Sequence, residues 1–322
     1  MWGVSAKDQK MRNHNFSLYA KGPGWRAPYL GKRNAAFPGT YRIGGLRRGI
    51  AQETLHTRMM KGGVVLALLF AGLALCEAGA LDLDILHVND HHSHVEEDDF
   101  TMDTSGVLTD IPEVDVVYGG FARIVTMMND MVAANPNTLK LHAGDAITGT
   151  LWYSIFKGVA DAAVMGKACF DAFALGDHEF DDGDSVLADF LNELESTTGS
   201  CPGGPTKVLA ANVVPGQDSR LRTENLLLAS HTFTVGGEKV GVVGIDIAQK
   251  TMDSSSPSPG TILTDEVTAA QAEINTLKAA GIDKIILLTH VGYWKDMSFA
   301  QQVVRRCGHF GLFFEYALMR HV

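Results

Sequence analysis

The chain has 322 residues, of which 46% are hydrophobic and 20% are charged, so it is long enough for one large globular domain or two ordinary ones. This composition excludes a disordered or fibrous protein. Charge is divided unevenly: residues 1–80 hold 12 Lys and Arg against 3 Asp and Glu, a net +9, whereas residues 81–322 hold 15 against 34, a net −19. The phosphate backbone of a nucleic acid binds to a basic protein surface. Because residues 81–322 are strongly acidic, we expect no nucleic-acid partner.

The first 59 residues are rich in Arg, Lys, Gly and Asn and show no sustained helical or strand period. We therefore predict that they form a disordered basic extension. Three interpretations are open: translation that starts at Met59 or Met60, a signal-anchor with a basic cytosolic tail, or an organelle-targeting extension. We favour the late start, in which the extension is not translated.

Residues 60–80 have the plan of a secretory signal peptide. Met60-Lys61 supplies a basic start, residues 62–76 are apolar, and Ala78-x-Ala80 is a cleavage signature. The apolar run of about 15 residues is shorter than the roughly 20 that a spanning helix needs. The sequence thus predicts a secreted or cell-surface protein, with membrane attachment only if residues 62–76 are retained as an anchor.

From residue 81 onward, strand-like and helix-like segments alternate, and we treat residues 81–304 as one domain. Strands are predicted at 81–88, 138–142, 170–175, 207–211, 233–235, 239–245 and 284–289. Helices are predicted at 121–134, 152–169, 184–194 and 264–280, and a surface loop at 253–260. This alternation predicts an α/β fold with a mixed sheet.

Four residues of the type that binds hard metal ions lie just beyond the ends of predicted strands: Asp90, Asp145, Asp177 and His290. One such residue would mean little, because an acidic residue often starts a turn. The α/β folds, however, gather residues from the carboxyl ends of their strands into one crevice. The repeated placement therefore predicts a shared metal site.

Six segments together resemble the motifs of the 5′-nucleotidase/apyrase family, whose catalytic domain is a calcineurin-like metallophosphoesterase. They are residues 86–94 (LHVNDHHSH), 119–123 (GGFAR), 141–145 (LHAGD), 174–181 (ALGDHEFD), 211–212 (AN) and 289–292 (THVG). The resemblance implies a four-layer α/β/β/α sandwich. It also implies hydrolysis of phosphate esters or anhydrides of nucleotides.

The resemblance further implies two divalent metal ions, with zinc expected and manganese, cobalt or magnesium as alternatives. Asp145 would bridge both ions, since one carboxylate can give an oxygen to each. Asp90 and His92 would complete one site, and Asp177 and His290 the other. A water between the ions would attack phosphorus.

A catalytic pair and a substrate contact are implied in the same way. His178 would face the leaving group and either stabilise the transition state or protonate the departing oxygen, with Asp181 orienting its ring. Asn212 would touch the substrate, although a role in capping a turn fits its position equally well.

Cysteine usage agrees with export. Cys169 and Cys201 are the only pair in the body of the domain. In an oxidising compartment they could form a disulfide, and two unpaired buried thiols are the alternative.

The sequence departs from the family pattern at two places. Asp177 stands where the family usually has Asn, and the extra negative charge is expected to hold a cation more tightly but make it less Lewis-acidic. Residues 305–322 form a divergent tail where the family continues into its final metal-ligand motif and a nucleotide-binding domain. We therefore expect a truncated form with weak activity or none, and a non-catalytic metal-binding or interaction product is the alternative.

Overall fold

The computed structural model describes residues 81–104, 107, 113–307 and 312–315, and it describes side chains only as far as residue 303. The predicted basic extension (1–59) and signal peptide (60–80) lie outside the described residues. Most of the predicted divergent tail (305–322) lies outside them as well.

The strands are, in chain order, β1 (Asp84–Val88), β2 (Glu97–Asp103), β3 (Glu113–Gly119), β4 (Thr138–His142), β5 (Ala172–Ala174), β6 (Lys207–Leu209), β7 (Val213–Val214), β8 (Ser230–Val235), β9 (Glu238–Asp246), β10 (Ile262–Leu263), β11 (Lys284–His290) and β12 (Leu312–Glu315). The helices are α1 (Phe121–Ala134), α2 (Leu151–Phe156), α3 (Val159–Ala168), α4 (Gly183–Thr198), α5 (Arg220–Thr223), α6 (Ala248–Ser254), α7 (Glu266–Ala279) and α8 (Tyr293–Cys307), and a 3₁₀ turn covers Asp177–Phe180.

The first sheet is parallel, with the strand order β1-β4-β5-β6. Side chains alternate between the two faces of a strand, so Leu86 and Val88 of β1 point to the same side. On that side they join an apolar cluster with α1, α3 and α4, to which Phe121, Met165 and Phe190 contribute. These helices therefore cover the outer face of the first sheet.

The second sheet has the order β12-β11-β9-β8. Strands β9, β11 and β12 are parallel, and β8 forms an antiparallel hairpin with β9 through Gly236 and Gly237, both at positive φ. Val243 of β9 and Leu287 of β11 pack with Phe299 in an apolar cluster that includes α7 and α8. The outer face of the second sheet thus has its own helical layer.

The inner faces of the two sheets meet at β6 and β9. The backbone N–H of Ala211, just after β6, donates to the carbonyl of Gly244 in β9 at 2.8 Å. A Cβ atom at Gly244 would overlap the backbone of Leu209, so only glycine allows this close approach. The α/β class and the four-layer arrangement predicted from the sequence are confirmed.

The predicted helix 152–169 is wrong as a single element, because the chain forms α2 and α3 there. Lys157 and Gly158 between them have φ values of 48° and 92°, in the left-handed region. A side chain at Gly158 would approach the ring of Phe190 to 2.9 Å. The break therefore lets the start of α3 pack closely on α4.

Several other elements were not predicted from the sequence, among them two pairs of strands and a helix. Strands β2 and β3 form an antiparallel hairpin, and β7 and β10 form a short two-stranded ladder. Helix α6 overlaps the first residues of the predicted loop 253–260. The hairpin strands expose most of their side chains, so they lack the continuous apolar run that marks a buried strand.

A disulfide joins Cys169 to Cys201, with 5.7 Å between their Cα atoms. Cys169 directly follows α3, and Cys201 lies shortly after α4. The bond closes a loop with a sequence separation of 32 residues, which corresponds to a stabilisation on the order of 3–4 kcal/mol. It therefore fastens together the two helices on the first sheet.

Strand β12 falls within the segment 305–322 that was predicted to diverge. It runs parallel to β11, with Leu312 opposite Ile285, and forms an edge of the second sheet. Among the helices that the structure describes, none combines the length and the apolar character that a membrane span requires.

Candidate metal centre

The predicted ligands lie at the carboxyl ends of strands from both sheets. Asp90 follows β1, Asp145 follows β4, and Asp177 follows β5 in the first sheet, whereas His290 is the last residue of β11 in the second. Asp145, Asp177 and His290 are almost fully buried. The fold thus brings together acidic and imidazole groups that are up to 200 residues apart in sequence.

Asp145 is common to two groups of potential ligands. Its carboxylate lies with Asp90 and His290 in one group and with His92 and His178 in the other, and the ligand atoms of each group are within 4.8 Å of one another. Oδ2 of Asp145 is 3.1 Å from Nε2 of His290 and 3.7 Å from Nε2 of His92. This shared position suits a carboxylate that contributes one oxygen to each of two cations.

The orientation of His290 also suits a metal ligand. Its Nδ1 lies 2.7 Å from the carbonyl oxygen of Ala143 and donates to it, which directs Nε2 toward the carboxylates. That buried Nε2 lies 3.1 Å from Oδ2 of Asp145 but outside the geometry of a hydrogen bond. Burial alone would lower the pKa of His290, but Asp145 and Asp177 raise it well above its usual value. The carboxylates thus favour positive charge here, which a divalent cation supplies in place of the proton.

Backbone strain is concentrated where the ligands of the first sheet lie. Asp90, His92 and Asp145 have φ values of 51°, 44° and 54°, a region that residues other than glycine seldom adopt. Main-chain hydrogen bonds hold the two turns together: Asp90 N–H donates to Gly144 at 3.0 Å, and His92 N–H to Asp145 at 3.1 Å. Such conformations cost about 1 kcal/mol or more each and cluster at functional sites.

Two glycines leave room for the ligand side chains. A Cβ atom at Gly144 would lie 2.7 Å from Nδ1 of His290. One at Gly176 would overlap the carboxylate of Asp145. Both glycines therefore permit the close approach of Asp145 and His290.

Glu179 is a site residue for which the sequence analysis gave no role. Its buried carboxylate accepts hydrogen bonds from the backbone N–H groups of Asp145 (2.9 Å), Ala146 (2.7 Å) and Gly176 (2.7 Å). Burial and the charge of Asp145 raise the pKa of Glu179 above its usual range, against the effect of these donors. Glu179 thus ties the turn that carries Asp145 to the turn that carries Asp177. The sequence does indicate Glu179 in one respect, because this residue lies among ligand-type residues in the segment 176–181.

His178 and Asp181 form a close pair on the 3₁₀ turn and its end. Nδ1 of His178 lies 2.6 Å from Oδ2 of Asp181, and the backbone N–H of His178 donates to Asp145 at 3.0 Å. The hydrogen bond to Asp181 raises the pKa of His178 to about 9. The ring is 37% exposed and packs edge-on against His92. A protonated imidazole is therefore held at the open side of the ligand cluster.

Lys250 is a second residue without a role in the sequence analysis. Its Nζ lies 2.9 Å from Oδ2 and 3.1 Å from Oδ1 of Asp177. Burial alone would raise the pKa of Asp177, but His290 and Lys250 hold it well below its usual range. No local signal marks Lys250, because it is 73 residues from Asp177 and comes from α6.

Asn212 uses its side chain to join the two sheets. Its Nδ2 donates to the carbonyl of Asp246 at 2.8 Å, and its Oδ1 accepts from the N–H of Asp246 at 3.0 Å. Asn212 is fully buried. Asp246 ends β9 directly opposite His290, and burial raises its pKa to about 8. The predicted contact of Asn212 with substrate remains a prediction.

A buried polar network supports the turn at Asp90 and His92. His91 lies 2.9 Å from His142 and 3.1 Å from Asp161, and Ser93 donates to Asp161 at 2.9 Å. Burial holds the pKa of His142 well below its usual value, so this ring is neutral. These contacts fix the turn to α3, the helix that carries Asp161.

Comparison with known proteins agrees with this architecture. Residues 83–317 match the family model of calcineurin-like phosphoesterases. The chain is 41% identical over 242 residues to an NAD 5′-nucleotidase from Haemophilus influenzae, covering 74% of this chain and 37% of that protein. It is 39% identical over 226 residues to a probable 5′-nucleotidase from Treponema pallidum, covering 70% of this chain and 35% of that protein.

A solved structure is similar in fold as well as in sequence. The NAD nucleotidase of Haemophilus influenzae superposes with a TM-score of 0.59 at 41% identity, covering 67% of this chain and 39% of that one. The chain therefore spans little more than a third of the length of the relatives it matches.

Proposed function

Because the chain belongs to the calcineurin-like phosphoesterase family, we propose that it hydrolyses phosphate esters of nucleotides with two divalent cations bound at the strand ends. The observation that carries this proposal is the position of Asp145, whose carboxylate is common to both groups of ligand atoms. The names of the relatives, which include 5′-nucleotidases, support a nucleotide as the substrate.

The groups of nearby ligand atoms pair Asp90 with His290 and His92 with His178 around Asp145. We propose a different division between the two cations, which follows the resemblance to the family. Asp90 and His92 would hold one cation, and Asp177 and His290 the other. Carboxylate oxygens and imidazole nitrogens suit zinc and also manganese or cobalt. When bound, the cations supply an activated water and neutralise the phosphoryl oxygens.

His178 would act as the general acid. Asp181 keeps its ring protonated and fixes Nδ1, so that Nε2 is free to give a proton to the departing oxygen of the ester. The partly exposed position of the ring leaves room for a leaving group.

We also propose that the protein is exported. The signal-peptide pattern of residues 60–80 supports this. The disulfide between Cys169 and Cys201 supports it independently, because such bonds persist in oxidising compartments.

The test is release of inorganic phosphate from AMP and ADP by the whole chain, with added Zn²⁺, Mn²⁺ or Co²⁺. We expect phosphate release that depends on the metal, and we expect His178→Ala to lower turnover by about 1,000-fold while bound metal stays unchanged. His231→Ala, in β8 of the second sheet, is the matched control and should retain wild-type turnover.

Two results would count against the proposal. If no metal supports phosphate release from either nucleotide, the chain is not a nucleotide phosphatase and the non-catalytic alternative is favoured. If His178→Ala loses metal together with activity, His178 is a ligand rather than the acid.

A further inference from the structure

The proposed ligand Asp177 is in direct contact with a lysine. Both of its carboxylate oxygens lie within about 3 Å of Nζ of Lys250, at 2.9 and 3.1 Å. The carboxylate is 1% exposed, whereas the lysine side chain is 35% exposed. The pair therefore connects the buried ligand cluster to the solvent-facing side of α6.

The two oxygens of Asp177 have different further neighbours. Oδ1 lies 3.6 Å from Nε2 of His290, on the side where the second cation would bind. Oδ2 lies 3.8 Å from Nε2 of His178 and is the oxygen closer to Lys250. Oδ1 can thus bind a cation while Oδ2 stays paired with Lys250.

Lys250 is not needed to hold α6 in place. The backbone N–H of Ala248 donates to Glu266 at 3.0 Å, and Thr251 donates to Asp246 at 3.2 Å. Just after the helix, the N–H of Ser256 donates to the carbonyl of Phe180, at the end of the 3₁₀ turn, at 3.0 Å. The helix is therefore anchored on both sides of the lysine.

We propose that Lys250 cancels the charge of Asp177, so that this carboxylate presents a single oxygen to the cation beside His290 as a neutral donor does. The extra negative charge expected from Asp177 is then offset by the protein itself. This inference rests on the metal site of the proposed function and deepens it.

A purely structural role for Lys250 predicts the opposite effect on metal binding. If the lysine only fixes the position of Asp177, removing the lysine makes this ligand more mobile and weakens the binding of the cation. If it cancels charge, its removal eliminates a repulsion between the ammonium group and the cation, and the cation binds more tightly. The sign of the change therefore separates the two roles.

The experiment measures the affinity of the whole chain for Zn²⁺ by competition with a chromogenic chelator. We expect Lys250→Gln to tighten binding about tenfold and Asp177→Asn to weaken it about tenfold. The double variant Lys250→Gln/Asp177→Asn removes both charges, and its Zn²⁺ affinity should be within about threefold of that of the wild type. Lys250→Arg retains the charge and should bind as the wild type does.

Lys284→Gln is the matched control. Lys284 pairs with Glu238 at 3.2 Å and begins β11, the strand that ends at His290, about 20 Å away at the usual rise of a strand. It loses the same charge, so its Zn²⁺ affinity should not change. A shift equal to that of Lys250→Gln would mean that net charge alone acts, and it would overturn the inference.

Weaker or unchanged Zn²⁺ binding by Lys250→Gln, with normal binding by the wild type, would overturn the inference and leave the proposed function standing. If the wild-type chain binds none of Zn²⁺, Mn²⁺ or Co²⁺, the proposed function fails first and this inference falls with it. The wild-type titration therefore distinguishes the two failures.

Discussion

The two sheets contribute to the site in different ways. The first sheet supplies most of the groups, and they lie in turns whose backbone is strained at Asp90, His92 and Asp145. The second supplies His290 from a regular strand and, through α6, Lys250 from a regular helix. Among residues 230–307, every residue with positive φ is a glycine. The arrangement of ligands is therefore fixed by main-chain contacts in one half and by ordinary secondary structure in the other.

The largest effect is expected when the carboxylate that joins the turns of the first sheet is removed, because those turns lie outside the strands and α-helices. Glu179→Gln keeps the size of the side chain but leaves its amide N–H₂ facing backbone donors from Asp145, Ala146 and Gly176. We expect a loss of about 3–5 kcal/mol in the free energy of unfolding, measured by urea denaturation, and a large loss of Zn²⁺ affinity.

Glu195→Gln is the control for this variant, since Glu195 is exposed on α4. It should change stability by less than about 0.5 kcal/mol. If Glu179→Gln unfolds at the same urea concentration as the control, the turns do not depend on this carboxylate and the contrast between the two halves is wrong.

The second prediction concerns the catalytic pair, both members of which come from the first half. With Asp181 present, the pKa of His178 is about 9, so the ring stays protonated at pH 8 and loses its proton as the pH rises through about 9. In Asp181→Asn the pKa should fall toward its ordinary value of about 6.5. We expect the alkaline limb of kcat for AMP to move from about pH 9 to about pH 7, with turnover at pH 8 about tenfold lower.

Asp182→Asn is the matched control for Asp181→Asn. Asp182 is the next residue, but its carboxylate accepts from Tyr153 and Lys157, both at 2.8 Å, rather than from His178. Its alkaline limb should stay at about pH 9. An unchanged limb in Asp181→Asn would show that Asp181 does not set the protonation of His178.

The sequence predicts the parts of the site that depend on local order. A strand that ends two or three residues before Asp90, Asp145 or Asp177 can be recognised from its periodicity, and the α/β rule then predicts that the three residues converge. The bounds of α1 agree with the prediction for the same reason, because apolar residues recur at helical spacing from Phe121.

The sequence does not reveal contacts that tertiary structure alone creates. Lys250 meets Asp177 only because α6 packs beside the 3₁₀ turn, and nothing near Lys250 in sequence marks this. The break at Gly158 depends in the same way on the ring of Phe190, which lies on another helix. Glu179 is an intermediate case, since its position beside Asp177 was visible but its backbone partners were not.

The smallest expected effect tests the contact between the two halves. Asn212→Ala removes two hydrogen bonds to the backbone of Asp246, and we expect a loss of about 1–2 kcal/mol in the free energy of unfolding with kcat and KM for AMP unchanged. The control is Asn192→Ala. Asn192 donates a hydrogen bond to Glu224 at the surface at 2.7 Å, so its removal should change the free energy of unfolding little. A raised KM with unchanged stability would instead assign Asn212 to the substrate. The two halves would then be joined at this point by main-chain contacts such as that between Ala211 and Gly244.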